Sequence, residues 1–214
     1  SDLVDIINDL DDFEILEITS EDRNRGRMYL EQKNRVKLKK ESTNLEDYLK
    51  KLETFVTIKS ISDKTISRIS QLTLKTNQFN LTTKRYSEEQ IKNKLENNNS
   101  MIYSTEVKDK FGDNGITGVF IIESINSDEL RIDSFLLSCR IIGRNIERTM
   151  MNEIINKARN LNKKRIIAEY IPTEKNLPAK EFLKDCGFIN KNDIWIYDVS
   201  KEFKKPTNLE ICVE

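Results

Sequence analysis

The spacing of apolar residues divides the chain into helical and extended stretches. Over residues 3–11, Leu3, Val4, Ile6, Ile7 and Leu10 fall at helical spacing. A second helix is expected from Thr19 or Ser20, either of which makes a good N-cap ahead of Glu21 and Asp22. It runs through Met28, Tyr29 and Leu30 to about Lys39 and is mostly charged. The stretch Ser42-Thr43-Asn44-Leu45-Glu46 has the form of a capping box and opens a third helix carrying Tyr48, Leu49 and Leu52. Residues 1–54 hold few β-branched or aromatic side chains, so they read as a helical arm without a core of its own.

From Phe55 the pattern changes. Phe55–Ile61 alternates apolar and polar and predicts a strand, and Asp63–Lys75 a helix with Ile66, Ile69 and either Leu72 or Leu74 facing inward. Asn77–Thr83 is polar with Phe79 and Leu81 embedded, and Ser87 caps another short helix. Met101–Val107, Gly115–Ile125 and Leu130–Ser138 read as three successive strands. Their connections at residues 111–115 and 126–129 have hairpin chemistry. A long helix from Ile146 to Leu161, a strand Arg165–Tyr170, a helix Asn176–Asp185 and a strand Ile194–Val199 follow. Beyond Phe203 the chain reads as a polar tail containing Pro206.

One junction carries candidate chemistry. The apolar strand ending at Ser138 runs into the turn Arg140–Asn145, which contains Gly143 and opens the long helix. Free N–H groups at a helix start, with the positive end of its dipole behind them, make a seat for an anion such as phosphate. The bland alternative is an ordinary strand-to-helix turn. Cys139 lies in this junction. It is either a small core residue or a thiol whose setting favours thiolate, able to hold an acyl group as a thioester.

Composition narrows the classes. The 214 residues hold 36 Lys and Arg against 36 Asp and Glu, a balance that argues against a nucleic-acid binder. No apolar run is long enough to span a membrane, and the N-terminus has no signal pattern. Three scattered cysteines predict free thiols and a cytoplasmic setting. There is no histidine, so any catalysis uses Cys, Asp, Glu, Lys, Tyr or backbone groups, and no metal site is expected in this chain.

The order of elements after residue 55 resembles the GNAT acyltransferase superfamily: an α/β fold with a mixed twisted sheet flanked by helices, here preceded by the helical arm. Arg140-Ile141-Ile142-Gly143-Arg144-Asn145 resembles that superfamily's pyrophosphate turn, with Asn145 in place of its small third residue. Asn176-Leu177-Pro178-Ala179, followed by Phe182-Leu183-Lys184-Asp185-Cys186-Gly187-Phe188, resembles its second motif. Leu183 occupies the place where many members carry a tyrosine that protonates the leaving thiol. A narrower likeness is carried by Lys75-Thr76-Asn77-Gln78-Phe79-Asn80-Leu81-Thr82-Thr83-Lys84-Arg85-Tyr86, by Asp109-Lys110-Phe111-Gly112-Asp113, by Phe135-Leu136-Leu137-Ser138-Cys139-Arg140 and by Tyr170-Ile171-Pro172-Thr173-Glu174-Lys175-Asn176. Together these resemble the FkbH-like proteins. That family joins a haloacid-dehalogenase-type phosphatase to a carboxyl-terminal GNAT-like domain. It moves a glyceryl unit from bisphosphoglycerate to the pantetheine thiol of an acyl carrier protein in polyketide biosynthesis.

The resemblance implies an organisation and a site. Residues 1–54 would be the connecting arm behind a phosphatase domain, 55–202 the GNAT-like domain and 203–214 a tail. The phosphatase's paired-aspartate motif is absent from residues 1–60, so magnesium is expected only in that other domain. Cys139 would be the catalytic acyl carrier. Arg140, Ile142, Gly143, Arg144, Asn145, Asn176 and Ala179 would bind the phosphopantetheine of the carrier protein, or coenzyme A. Asn77, Gln78, Asn80, Thr82, Thr83 and Arg85 would bind the phosphorylated three-carbon acid, unless that stretch only braces the sheet. Lys163, Lys164 and Arg165, together with Arg144 and Arg148, would face the carrier protein or simply be solvated. Two other functions stay open: an acetyl-coenzyme A-dependent N-acetyltransferase, and a non-catalytic module that docks the carrier protein.

Overall fold

The computed structural model describes residues 20–96 and 99–214, and the helical pattern expected at 3–11 lies outside them. Two helices come first, α1 (Ser20–Glu41) and α2 (Leu45–Leu52). Asn44 caps α2 by accepting from the Asp47 N–H at 2.9 Å. Tyr48, Leu49 and Leu52 form a small cluster with Leu38 and Phe111, which fastens the arm to the sheet.

The sheet contains β1 (Thr54–Ser60), β2 (Phe79–Asn80), β3 (Ser100–Asp109), β4 (Gly112–Ser124), β5 (Glu129–Leu137), β6 (Arg165–Glu169), β7 (Ile189–Lys191), β8 (Ile194–Asp198) and β9 (Leu209–Val213). Its order is β7-β8-β6-β5-β4-β3-β1-β9, with β2 alongside β5. The β5–β6 and β1–β9 pairs are parallel and the rest antiparallel. The helices α3 (Asp63–Lys75) and α4 (Glu88–Glu96) cover one face, burying Ile66, Ile69, Leu72 and Ile91 against Ile102, Val119, Ile121 and Leu136. The other face carries α5 (Ile146–Asn160) and the short α6 (Phe182–Asp185). There Ile146, Met150, Ile154 and Leu183 pack on Phe120, Ile132, Phe135 and Ile166. Each such side chain stabilises the fold by about 1.5–3 kcal/mol. Gly118 of β4 lets α5 come close, because a Cβ there would stand 2.9 Å from the Met150 sulfur.

The sheet forks at its centre. β5 pairs with β6 only from Glu129 to Ile132, and the two strands then part. The segment after α3 enters the gap. Phe79 and Asn80 pair with Leu137 and Leu136, the Leu81 N–H donates to the Phe135 carbonyl at 3.1 Å, and the Ile171 N–H donates to the Leu81 carbonyl at 2.8 Å. Leu81 thus bridges both arms of the fork, and it is fully buried.

Three expectations change. Residues 203–214 are not merely a tail, since β9 extends the sheet beside β1; its alternation of Leu209, Ile211 and Val213 with Glu210 and Cys212 spans only five residues, too short to stand out in the sequence. The helix expected at Asn176–Asp185 is a one-turn 3-10 helix, Leu177–Ala179, followed by the four residues of α6. Pro178 supplies no N–H there, and the Asn176 side chain is spent on other backbone groups. The first hairpin turns at Lys110–Phe111, ahead of the expected 111–115, because the Asp109 side chain accepts the Phe111 N–H.

A buried ion cluster ties the arm to the domain. Arg35 of α1 donates to both carboxylate oxygens of Asp109, at 2.8 and 3.0 Å, and Arg144 donates to Asp109 Oδ2 at 3.0 Å. Burial pushes the Asp109 carboxyl up. The hydrogen bonds and charge of Arg35, the Phe111 N–H and the charge of Arg144 outweigh it and hold the carboxyl below its usual range. Asp109→Ala leaves two guanidinium groups buried without their partner. It is expected to cost about 3–5 kcal/mol at pH 7, measured by chemical denaturation. With a depressed folded pKa, this contribution is complete above the unfolded value of about 3.9 and is lost as pH falls through the folded one. The gap between wild type and variant should therefore shrink toward pH 2. An equal gap at both pH values contradicts the assignment.

Candidate active site, a basic cleft at Cys139

β5 ends at Leu137, and Cys139–Ile141 form a single 3-10 turn that lifts the chain off the sheet. This leaves the Cys139 thiol exposed. It lines a cavity of about 670 Å³ together with Arg68 and Lys75 of α3, Asn77, Gln78, Ser138, Glu174 and Lys175. The cavity collects positive charge. Burial, and then the nearby charge of Arg140, pull the Arg68 guanidinium below its usual value, although an arginine stays charged at neutral pH. Arg68 touches the Ile116 carbonyl at 3.3 Å and Arg140 reaches Ser138 Oγ at 3.4 Å. Neither pairs with a carboxylate among the described residues. Two arginines lacking a counter-ion beside a thiol suit an anionic substrate.

The turn expected to hold phosphate has the right backbone, but some of its side chains are engaged elsewhere. Gly143 adopts φ +78° with open space around it, and Asn145 φ +65° ahead of α5, as such a turn requires. The guanidinium of Arg144, however, is spent on Asp109 and on the Arg140 carbonyl, at 3.0 and 2.9 Å. Burial raises the pKa of Glu147 at the start of α5, against the pull of nearby backbone N–H groups and of Arg148, and its Oε2 is buried without a partner among the described residues. Asn145 donates to Asn208 Oδ1 at 2.8 Å. Arg148 donates to the Asp185 and Lys204 carbonyls at 3.1 and 3.2 Å, holding residues 203–208 over the start of α5. Ile142 is half-buried against the core. Asn176 and Ala179 are fully buried, far from a ligand role.

The Asn77–Arg85 residues divide. Asn77 and Gln78 line the cleft. Asn80 is fully buried, donating to the Thr76 carbonyl at 3.1 Å and accepting from the Thr83 N–H at 2.9 Å. Thr82 donates to the Asp133 carbonyl at 3.0 Å, and Thr83 takes φ +51° in the same turn. Arg85 donates to the Thr73 and Thr76 carbonyls and to Asn77 Oδ1, which makes it a cap for the end of α3. The bonds of the Asn80, Thr82 and Arg85 side chains are those of the bracing alternative, and Thr83 shares in them through its backbone N–H. Arg68, Lys75 and Lys175 had not been singled out. No pattern marks them, because their convergence depends on where α3 and the 171–176 loop end. Lys163, Lys164 and Arg165 lie at a separate groove and bond to Ser124, Asp128 and Glu129. Among the described residues, no three Cys, Asp or Glu side chains converge as a metal site, and no helix is long and apolar enough to cross a membrane.

Asn176 holds the segment in the fork. Its Nδ2 donates to the Asn80 and Ile171 carbonyls, both at 2.9 Å, and its Oδ1 accepts from the Thr173 N–H at 2.8 Å and the Tyr170 hydroxyl at 3.0 Å. Asn176→Ala leaves these groups unpaired and is expected to cost about 2–4 kcal/mol in thermal or chemical unfolding. A loss under 1 kcal/mol would show that water replaces the amide.

No family model matches the chain, and neither does any curated protein sequence. Solved structures do share its fold. Spermidine N-acetyltransferase SpeG from Vibrio cholerae superposes with a TM-score of 0.52 at 16% identity, covering 68% of this chain and 95% of that one. The ribosomal-protein-S18-alanine N-acetyltransferase of Escherichia coli gives 0.52 at 11% identity, over 70% and 97%. Rv2747 from Mycobacterium tuberculosis, solved in complex with coenzyme A, gives 0.50 at 15% identity, over 63% and 72%. At these identities the likeness establishes the fold alone, and that fold is GNAT.

Proposed function

We propose that this chain is an acyltransferase domain in which Cys139 carries a glyceryl unit to the phosphopantetheine thiol of an acyl carrier protein. The observation that carries this reading is the exposed Cys139 in a cavity lined by Arg68, Lys75 and Lys175, with the charge of Arg140 close enough to act on Arg68, which pairs with no carboxylate among the described residues. The GNAT fold supports acyl transfer in general. The FkbH-like motifs around Lys75–Tyr86 and Phe135–Arg140 favour a phosphorylated three-carbon acid, an acyl phosphate of the bisphosphoglycerate class.

The steps balance. The Cys139 thiolate attacks the acyl carbon, a C–S bond forms, the C–O bond to phosphate breaks, and phosphate leaves. Arg68, Arg140 and Lys75 stabilise the charge on the departing phosphate and on the second phosphoryl group. The carrier's thiol then attacks the thioester, its C–S bond forms as that to Cys139 breaks, and its proton ends on Cys139. Thiol-to-thiol exchange needs no general acid to rescue the leaving group, which fits the buried Leu183 where a tyrosine would otherwise stand. The second phosphoryl group would be removed by a phosphatase domain joined through the α1–α2 arm.

Incubation with bisphosphoglycerate and intact-mass measurement tests the reading. A glyceryl or phosphoglyceryl adduct should form on wild type, persist in Cys186→Ala and Cys212→Ala, and vanish in Cys139→Ala. Arg68→Ala should slow its formation about 10–100-fold, the loss of one charged phosphate contact. An adduct that survives Cys139→Ala places the thioester elsewhere and ends this mechanism.

A further inference from the structure

A ligand entering a GNAT fold by its phosphate turn would lay its amide-bearing arm along the edge of β5 beyond Ile132, where β6 has turned away. Such an edge offers unpaired N–H and C=O groups to any extended amide chain. In this chain those groups are taken. The Phe135 carbonyl accepts from Leu81, Leu136 and Leu137 pair with Asn80 and Phe79, and the Asp133 carbonyl accepts from Thr82. At the turn that would take the phosphate, Arg144 is drawn to Asp109 and Asn145 to Asn208.

We propose that this domain excludes coenzyme A, its residues 79–83 standing in the groove where the fold's customary cofactor would lie. The Phe79–Leu81 peptide fills the place of the pantetheine amides. Admitting the cofactor would expose Phe79 and Leu81, now 3% and 0% accessible, and would strip partners from Phe135, Ile171 and Asn176. The Phe79 ring also packs edge-on against Phe182, with centroids 5.1 Å apart. The acyl group therefore reaches the thiol from a small phosphorylated donor entering the cleft, and a carrier's arm meets Cys139 with its tip only. This deepens the proposed function and rests on it for the identity of the donor.

Titration calorimetry of the full chain with coenzyme A and with acetyl-coenzyme A, paired with amide hydrogen exchange, tests the exclusion. No saturable binding is expected up to a concentration on the order of 1 mM, and the Leu81 and Ile171 amides should be protected equally with and without the cofactor. Micromolar binding with loss of that protection means the segment swings out, which overturns the inference. Micromolar binding with protection intact reveals another groove and overturns it equally. A Leu81 amide that exchanges like an open chain in the free protein overturns it too, because the groove is then not filled. The thioester assay separates this from the proposed function. A Cys139 adduct in a chain that binds coenzyme A sinks only the exclusion. No adduct in a chain that ignores coenzyme A sinks only the glyceryl transfer.

Discussion

The structure turns on a shortage of backbone partners. When β6 leaves β5 after Ile132, one side of β5 would be left with unpaired polar groups in the middle of a hydrophobic core. Leu81 supplies both missing bonds from one residue, its N–H to Phe135 and its carbonyl to Ile171. The rest of the segment must then be held in place. Asn80 fixes the entry through Thr76 and Thr83, Asn176 grips the Asn80 carbonyl from the far arm, and Thr82 seals the apex at Asp133. Asp133 itself is buried. Burial pushes its carboxyl up, but the bonds from Lys84 and Tyr86 and the charge of Lys94 outweigh this and keep it ionised. A run of amides and hydroxyls that reads as either a substrate pocket or a brace for the sheet is thus densely bonded within the interior.

Charge is sorted by the same accounting. The domain has many arginines near its proposed site, and what each can do depends on what it already holds. Arg144 is committed to Asp109, Arg85 to the end of α3, and Arg148 to the carbonyls of residues 185 and 204. Arg68 and Arg140 pair with no carboxylate among the described residues, and the charge of Arg140 disfavours that of Arg68. The position of the uncommitted pair places the candidate chemistry at the end of β5 on the α3 side, one turn before the glycine.

The sequence showed the elements well and the roles of single residues less well. Apolar periodicity located β1, α3, α5 and the three central strands within three residues at either end, since each repeats its pattern over several turns or pleats. β9 was hidden because five residues carry little pattern, and the Asn176 helix was overcalled because a side chain's preference for loop carbonyls leaves no trace in periodicity. Among the site residues, Cys139, Asn77 and Gln78 do share one cavity. Arg144 and Arg85 looked like ligands because arginine beside glycine or threonine so often is one. Their partners, Asp109 and the Thr73 and Thr76 carbonyls, are 35, 12 and 9 residues away in sequence. Arg68 was missed for the converse reason, since it lies on a helix face that reads as ordinary surface.

The filled groove and the open cleft are made by one piece of chain. Lys75, Asn77 and Gln78 line the cavity, and the very next residues, Phe79 to Thr83, form the wedge. Seating Phe79 and Leu81 in the core fixes where Asn77 and Gln78 stand relative to Cys139, and Arg85 bonds back to Asn77 and to the end of α3 to hold the approach rigid. A substitution that loosened the wedge would therefore loosen the cleft. What closes one side of the β5 edge to an extended ligand also shapes the pocket at its end. The same stretch of chain thus completes the interior at the fork and sets out one wall of a cavity that also carries the exposed Cys139, Arg68 and Lys175.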